Sequence, residues 1–152
     1  MRRVQNSVCV LTTAFPVPKN YLVDFFDSFL NQDYTCFDII MVNDGNSDLD
    51  EFLEKYNKLS ITTIKSGETP LENRIRLIKE ATIRDYKYVV FSDIDDKFSH
   101  NRVFECVRHL EEHDIVINDI TTFNSKGILQ KKYLSKRIVN GQKISFKDIE
   151  TL

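Results

Sequence analysis

Glycine and proline are scarce, four and three in 152 residues, which excludes collagen-like and low-complexity chains. No apolar stretch approaches the roughly 20 residues that a membrane-spanning helix needs. The run Val8 to Leu11 behind Met1-Arg2-Arg3 is too short for the apolar core of a secretion signal. Neither sign of charge dominates: the net charge is −2 and the isoelectric point about 5.9, so a whole-surface nucleic-acid binder is excluded. Only three cysteines occur, Cys9, Cys36 and Cys106, without C-x-x-C spacing. Each sits in or beside an apolar run, so they read as buried free thiols in a reducing compartment rather than as a disulfide framework. What remains is ordinary: 41% hydrophobic and 29% charged residues, enough for one folded domain over residues 1–152 and too little charge for disorder. The expectation is a soluble, cytoplasmic protein.

Apolar runs alternate with amphipathic stretches. Val8 to Leu11, Phe37 to Val42, Ile61 to Ile64, Tyr88 to Phe91 and Ile115 to Ile117 read as strands. Between them, Tyr21, Leu22, Phe25, Phe26, Phe29 and Leu30 make one wide helical face. Further helices are expected through Phe52 and Leu53, from Leu71 to Asp85 behind Pro70, and through Val103, Phe104, Val107 and Leu110. Strands apolar at nearly every position are covered on both faces, so the expected fold is α/β: an open, mostly parallel sheet with helices on both faces. Thr121 to Phe123 and Ile128 to Leu134, around Asn124-Ser125-Lys126-Gly127, read as a β-hairpin, and Ser145 with Asp148 as the start of a last helix.

Ligands of open α/β sheets bind beyond the carboxyl ends of the strands. Those ends carry Thr12-Thr13, Asn43-Asp44-Gly45 and Asp93-Ile94-Asp95-Asp96, with Arg74 and Arg76 early in the third helix. Three carboxylates so close in sequence repel one another unless a cation neutralises them. Hard oxygen ligands suit Mg²⁺ or Mn²⁺, which also bridge a substrate diphosphate. If the chain stays extended there, Asp93 and Asp95 face one way and Asp96 another. The competing reading of the cluster is a solvated acidic turn, and of Asn43-Asp44-Gly45-Asn46 a turn built for backbone reasons.

Together these segments resemble the inverting family 2 glycosyltransferases, whose nucleotide-binding half has the GT-A fold. The resemblance covers about residues 7–135. Ser7 to Thr13 is similar to the opening strand, and Phe29-Leu30-Asn31-Gln32-Asp33-Tyr34 to the "S-x-x-x-Q-T-Y" helix end. Phe37 to Asp48 is similar to "E-I-I-V-V-D-D-G-S-x-D", Asn73-Arg74 to "A-R-N", and Val90 to Asp96 to "F-L-D-x-D-D". Departures are Thr12 and Ala14-Phe15 in the first turn, Asn43 for the first Asp, and Ile75 after Arg74.

The resemblance implies a nucleoside-diphosphate sugar, a UDP-sugar favoured, held by Thr12, Thr13, Asn43, Asp44, Arg74, Asp93 and Ile94. A Mn²⁺ or Mg²⁺ ion would rest on Asp95 with Asp93 and Asp96, assisting departure of the nucleoside diphosphate as a glycan or lipid-linked hydroxyl attacks with inversion. The family's acceptor region and general base lie later. The expectation is therefore that they fall outside this chain, either the N-terminal portion of a longer enzyme or a shortened domain that binds nucleotide sugar without turning it over. Asp119 is the nearest leftover carboxylate, and a strand-end charge is its simpler reading. His100, His109 and His113 are scattered and do not suggest zinc. A haloacid-dehalogenase-like phosphatase also uses D-x-D, but on its first strand, and Lys97 stands where it needs Thr or Ser. Lys126, Lys131, Lys132, Lys136, Arg137, Lys143 and Lys147 form a run without an intervening acid. It reads as a solvated surface or as peripheral contact with the inner face of a membrane.

Overall fold

Seven consecutive residues of β1, Val8–Ala14, are buried, which requires a strand with neighbours on both edges and cover on both faces. The computed structural model, which describes residues 6–67, 69–124 and 126–130, supplies both. β1 lies between β2 (Phe37–Asn43) and β4 (Tyr88–Phe91), and β3 (Ile61–Lys65) lies outside β2. All pairings in this sheet, ordered β3-β2-β1-β4, are parallel. The connecting helices are α1 (Lys19–Leu30), α2 (Leu49–Lys55) and α3 (Pro70–Ile83), with α4 (Arg102–Leu110) after β4.

The two-residue alternation of β1 and β2 sorts the core into two layers. Val8, Val10, Ala14, Ile39 and Met41 face α1, α2 and α4 through Phe25, Phe26, Phe29, Phe52 and Val103. Cys9, Leu11, Ile40 and Val42 face Leu77 and Ala81 of α3. The expected helices on both faces are therefore present. Aromatic rings fill the larger layer: Phe29 lies 4.8 Å from Phe25 and 4.7 Å from Phe98, and Phe26 stacks 5.0 Å from Tyr56. Each such side chain stabilises the fold by roughly 1.5–3 kcal/mol through area removed from water.

Local chemistry sets the ends of α3. The Thr69 hydroxyl accepts from the Glu72 N–H and the Glu72 carboxylate from the Thr69 N–H, a reciprocal capping box, with Pro70 in the first turn. At the other end Tyr86 N–H reaches Ala81 C=O and Asp85 N–H reaches Thr82 C=O, with Asp85 at φ 57°, the Schellman arrangement. Gln32 joins α1 to α4. Its amide donates to the carbonyls of Ser28 and Ser99, and its carbonyl accepts from the Val103 N–H, one of the otherwise open donors at the α4 N-terminus.

Three expectations change. β1 does not end at Leu11 but runs through Thr12 and Thr13 to Ala14, because β2 stays paired with it to the Ala14–Asn43 register. The chain after β4 is not extended: it turns at Ile94-Asp95, with the Asp96 N–H bonded to the Asp93 carbonyl at 3.0 Å. Ile115 to Ile117 is not a strand. Three apolar residues do not make a strand without a ladder to satisfy their backbone groups, and no such pairing occurs among the described residues.

The chain divides into two compact units, between Asp114 and Ile115. In the second, β5 (Thr122–Asn124) and β6 (Gly127–Gln130) form the expected antiparallel hairpin, with a register shift between Thr122 and Phe123. The Asn124 side chain accepts from the Lys126 N–H at 2.8 Å, a turn-forming bond. The basic residues from Lys131 onward and the helix expected at Ser145 lie outside the described residues.

Candidate functional site

The order β3-β2-β1-β4 places successive crossovers to one side of β1 and then returns to the other. The crevice between β1 and β4 is thus the topological switch point, where open α/β sheets bind ligands. β4 pairs with β1 only as far as Leu11–Phe91, and the Ser92 N–H adds one further bond to the Leu11 carbonyl. Thr12 and Thr13 lie beyond that point. Both hydroxyls are buried and lack a hydrogen-bond partner among the described residues. Thr12 is fully enclosed, whereas Thr13 is 9% exposed and, by strand alternation, on the α3 side.

Asn43 and Asp44 close β2 with different fates. Asn43 accepts from the Asn46 N–H at 2.9 Å and donates to the Asn46 carbonyl, so both ends of its amide are spent on the turn. Asn46 in turn donates to the Phe15 carbonyl, and Gly45, at φ 84°, occupies the left-handed conformation that glycine adopts most cheaply. Asp44 alternates to the α3 side. Its Oδ1 accepts from the Ser66 hydroxyl at 2.9 Å, and its main-chain N–H is bonded to the Ala14 carbonyl.

Arg74, on the first turns of α3, is paired with Asp93 and lies over the Phe91 ring, 5.7 Å from its centroid. The two charged side chains are 37% and 48% exposed. Such a pair contributes about 0–1 kcal/mol to folding; what it does is fix a planar cation at the crevice rim. Ile94 is fully buried in the larger core layer, so any contact it offers a ligand comes from its main chain. Asp95 is exposed and makes no hydrogen bond or ion pair with a described residue.

Asp96 is exposed overall, yet its carboxyl is raised above the ordinary range, first by partial desolvation and then by the negative charges of Asp93 and Asp95, with a hydrogen bond from the Asp93 backbone and the Arg102 charge opposing. A cation would reverse that penalty. Among the described residues no three acidic, histidine or cysteine side chains already converge as a metal-holding group. The donor set still fits Mg²⁺ or Mn²⁺, which take one or two carboxylates and complete their shell with water and phosphate oxygen.

Thr13, Asp44, Arg74 and Asp93 therefore belong to the same end of one sheet. His100 is exposed, and its carbonyl accepts from the Asp33 N–H. Asp119 belongs to the second unit and accepts from the Ile120 N–H. Ser66 and Asn73 stand beside this site without being among the site residues the sequence points to. Ser66 was within reach of the strand-end rule, because it directly follows β3; Asn73 carried no signal beyond its place before Arg74.

Residues 9–150 match the model of the family described as glycosyl transferase family 2. An uncharacterized glycosyltransferase of Rickettsia bellii is 30% identical over 103 residues, which cover 65% of this chain and 14% of that protein. The crystal structure of S. aureus TarS residues 1–349 in complex with UDP is similar at a TM-score of 0.59 and 24% identity, over 70% of this chain and 32% of that one. The corresponding complex with UDP-GlcNAc matches at 0.59 and 25% over the same shares. This chain thus spans about a seventh of the curated relative and about a third of these solved chains. With the family pattern running through nearly all of its residues, on a parallel sheet whose polar strand ends meet at the switch point, the chain belongs to glycosyl transferase family 2.

Proposed function

We propose that the crevice binds a nucleoside-diphosphate sugar, with a uridine nucleotide favoured. The chain would then carry the donor side of an inverting glycosyl transfer to a hydroxyl of a glycan or lipid-linked acceptor. The observation that carries this reading is the set of polar side chains, Thr13, Asp44, Arg74 and Asp93, that end on one side of the β1–β4 switch point. The UDP and UDP-GlcNAc complexes of TarS, a protein of similar fold, support a uridine nucleotide.

In this reading Asp44 accepts an N–H from the base, and Thr13 supplies a hydroxyl beside it. Asp93 lies on the ribose side and keeps the Arg74 fork oriented for the nucleotide or donor sugar. Asp95, with Asp93 and Asp96 beside it, would hold Mn²⁺ or Mg²⁺, which supplies Lewis-acid stabilisation of charge on a departing diphosphate. The acceptor's proton needs a base, and none of the side chains of this site is assigned that role. The basic run from Lys126 to Lys147 would approach anionic lipid at the inner face of a membrane.

Calorimetric titration with UDP, GDP and their sugar conjugates, with and without Mn²⁺, tests the donor site. UDP is expected to bind only with metal, and Asp95→Ala to weaken it by about tenfold or more, as expected for a lost charge-assisted contact. Equal affinity without metal and in Asp95→Ala removes the metal assignment, and absence of any nucleotide binding removes the donor site. Incubation with labelled UDP-GlcNAc separates transfer from binding alone.

A further inference from the structure

The Ser66 hydroxyl has one proton and three acceptors in reach: Asp44 Oδ1 at 2.9 Å, the Gly67 carbonyl at 2.9 Å and Asn73 Oδ1 at 3.4 Å. Only the carboxylate is charged, and the charge-assisted bond is the stronger, so the proton goes to Asp44. The orientation of Asn73 is not free. The Gly67 N–H donates to its Oδ1 at 2.7 Å, and exchanging the amide ends would set two donors face to face. Its Nδ2 is consequently buried without a partner among the described residues, although the residue is fully buried. An amide kept at that penalty is explained by what its carbonyl holds. Gly67 is also pressed against α3: a Cβ there would lie 2.8 Å from Glu72 Cβ and 3.0 Å from Arg76 Nε. The loop after β3 is therefore clamped from two directions next to the one Asp44 oxygen it occupies. Asp44 Oδ2 accepts from no described residue.

We propose that Ser66 and Asn73 are positioning residues for Asp44, an inference that rests on the nucleotide-site reading and deepens it. Asn73 holds the Gly67 main chain, this sets Ser66, and Ser66 engages Oδ1 so that Oδ2 is the oxygen presented to a ring N–H of the base. The consequence is selectivity by base chemistry. Uracil offers a ring N–H donor to a carboxylate, whereas cytosine offers an acceptor at the same ring position and is repelled.

The test is calorimetric titration of the 152-residue chain with UDP and with CDP, each with Mn²⁺. It compares the unsubstituted protein with Ser66→Ala, Ser66→Thr, Asp44→Asn and the Ser66→Ala/Asp44→Asn double variant. Ser66→Ala is expected to weaken UDP about fivefold or more, the scale of a lost hydrogen bond to a charged group. It should also narrow the preference for UDP over CDP and leave the thermal midpoint in place. Ser66→Thr should restore both, and in the Asp44→Asn background Ser66→Ala should add nothing. Asn73→Ala should narrow the same preference; if that variant does not fold, the Ser66 series decides. Unchanged UDP affinity in Ser66→Ala, equal loss of UDP and CDP, or an additive double variant overturns the positioning role alone. An unsubstituted chain that binds neither nucleotide overturns the donor-site reading and this inference with it.

Discussion

Asp85 is the non-glycine residue with positive φ among the described residues, at 57°, exposed, and closing the Schellman end of α3. A side chain in that conformation carries a steric penalty that glycine avoids. Asp85→Gly is therefore expected to raise stability by about 0.5–1 kcal/mol, read as a higher midpoint in urea unfolding. The cysteines separate as clearly. Cys9 and Cys106 are buried as expected, but Cys36 is exposed, just before β2 rather than within it, and burial pushes the Cys9 thiol up to about 12. Since the thiolate is the reactive form, iodoacetamide at neutral pH should label Cys36 in the folded protein and reach Cys9 only after denaturation. Arg74 makes the complementary case. Its half-exposed pair with Asp93 adds little to folding, so Arg74→Ala should leave the thermal midpoint within about 2 °C while weakening UDP binding. At this scale much was legible, because a carboxylate after an apolar strand stands out in a linear reading. Asn43 shows the limit. Its amide is consumed by Asn46, a contact three residues away that its identity alone does not announce.

Among the elements, α3 and the α1–α4 junction show how a few polar groups set an end or an angle. Gln32 is 5% exposed and satisfies the Ser99 carbonyl and the Val103 N–H across the chain. Gln32→Ala strands both, and the expected loss is about 2 kcal/mol in urea unfolding, against about 1 kcal/mol for removing the Thr69 cap of α3. Helix and strand positions were readable because periodicities of 3.6 and 2 are properties of the chain itself. Pro70 and the Thr69–Glu72 spacing likewise mark the start of α3 in the sequence. The end of β1 was not readable. Whether Thr12 and Thr13 continue a strand depends on β2 remaining opposite them, and the same apolar character at Ile115 to Ile117 forms no ladder where no strand pairs.

For the molecule as a whole, alkaline pH probes the packing of the sheet. Burial and the Asp27 carboxylate raise the Tyr56 phenol to about 12, and burial with Asp38 raises Tyr86 also. Both phenols are therefore held neutral in the folded state more strongly than the unfolded value of about 10. Their contribution is complete below about pH 10 and is lost as pH rises from there through the folded values, about 12 for Tyr56 and higher for Tyr86. Stability should be flat from neutral pH to about 8, decline from about 9 as first the Cys9 thiol and then both phenols ionise in the unfolded chain, and decline less steeply in Tyr56→Phe and Tyr86→Phe, as read by thermal unfolding across that range. The sequence by itself determined the alternation of strands and helices, the acidic and basic residues at strand ends, and a family pattern along residues 9–150, since each is a matter of order and spacing. Tertiary structure alone decided which of those ends share the switch point. It also decided which face each strand-end residue takes, and that Ser66 and Asn73 stand beside Asp44. Those facts rest on the order β3-β2-β1-β4 and its register, and on contacts between segments 22 residues apart in the chain, which local periodicity does not encode.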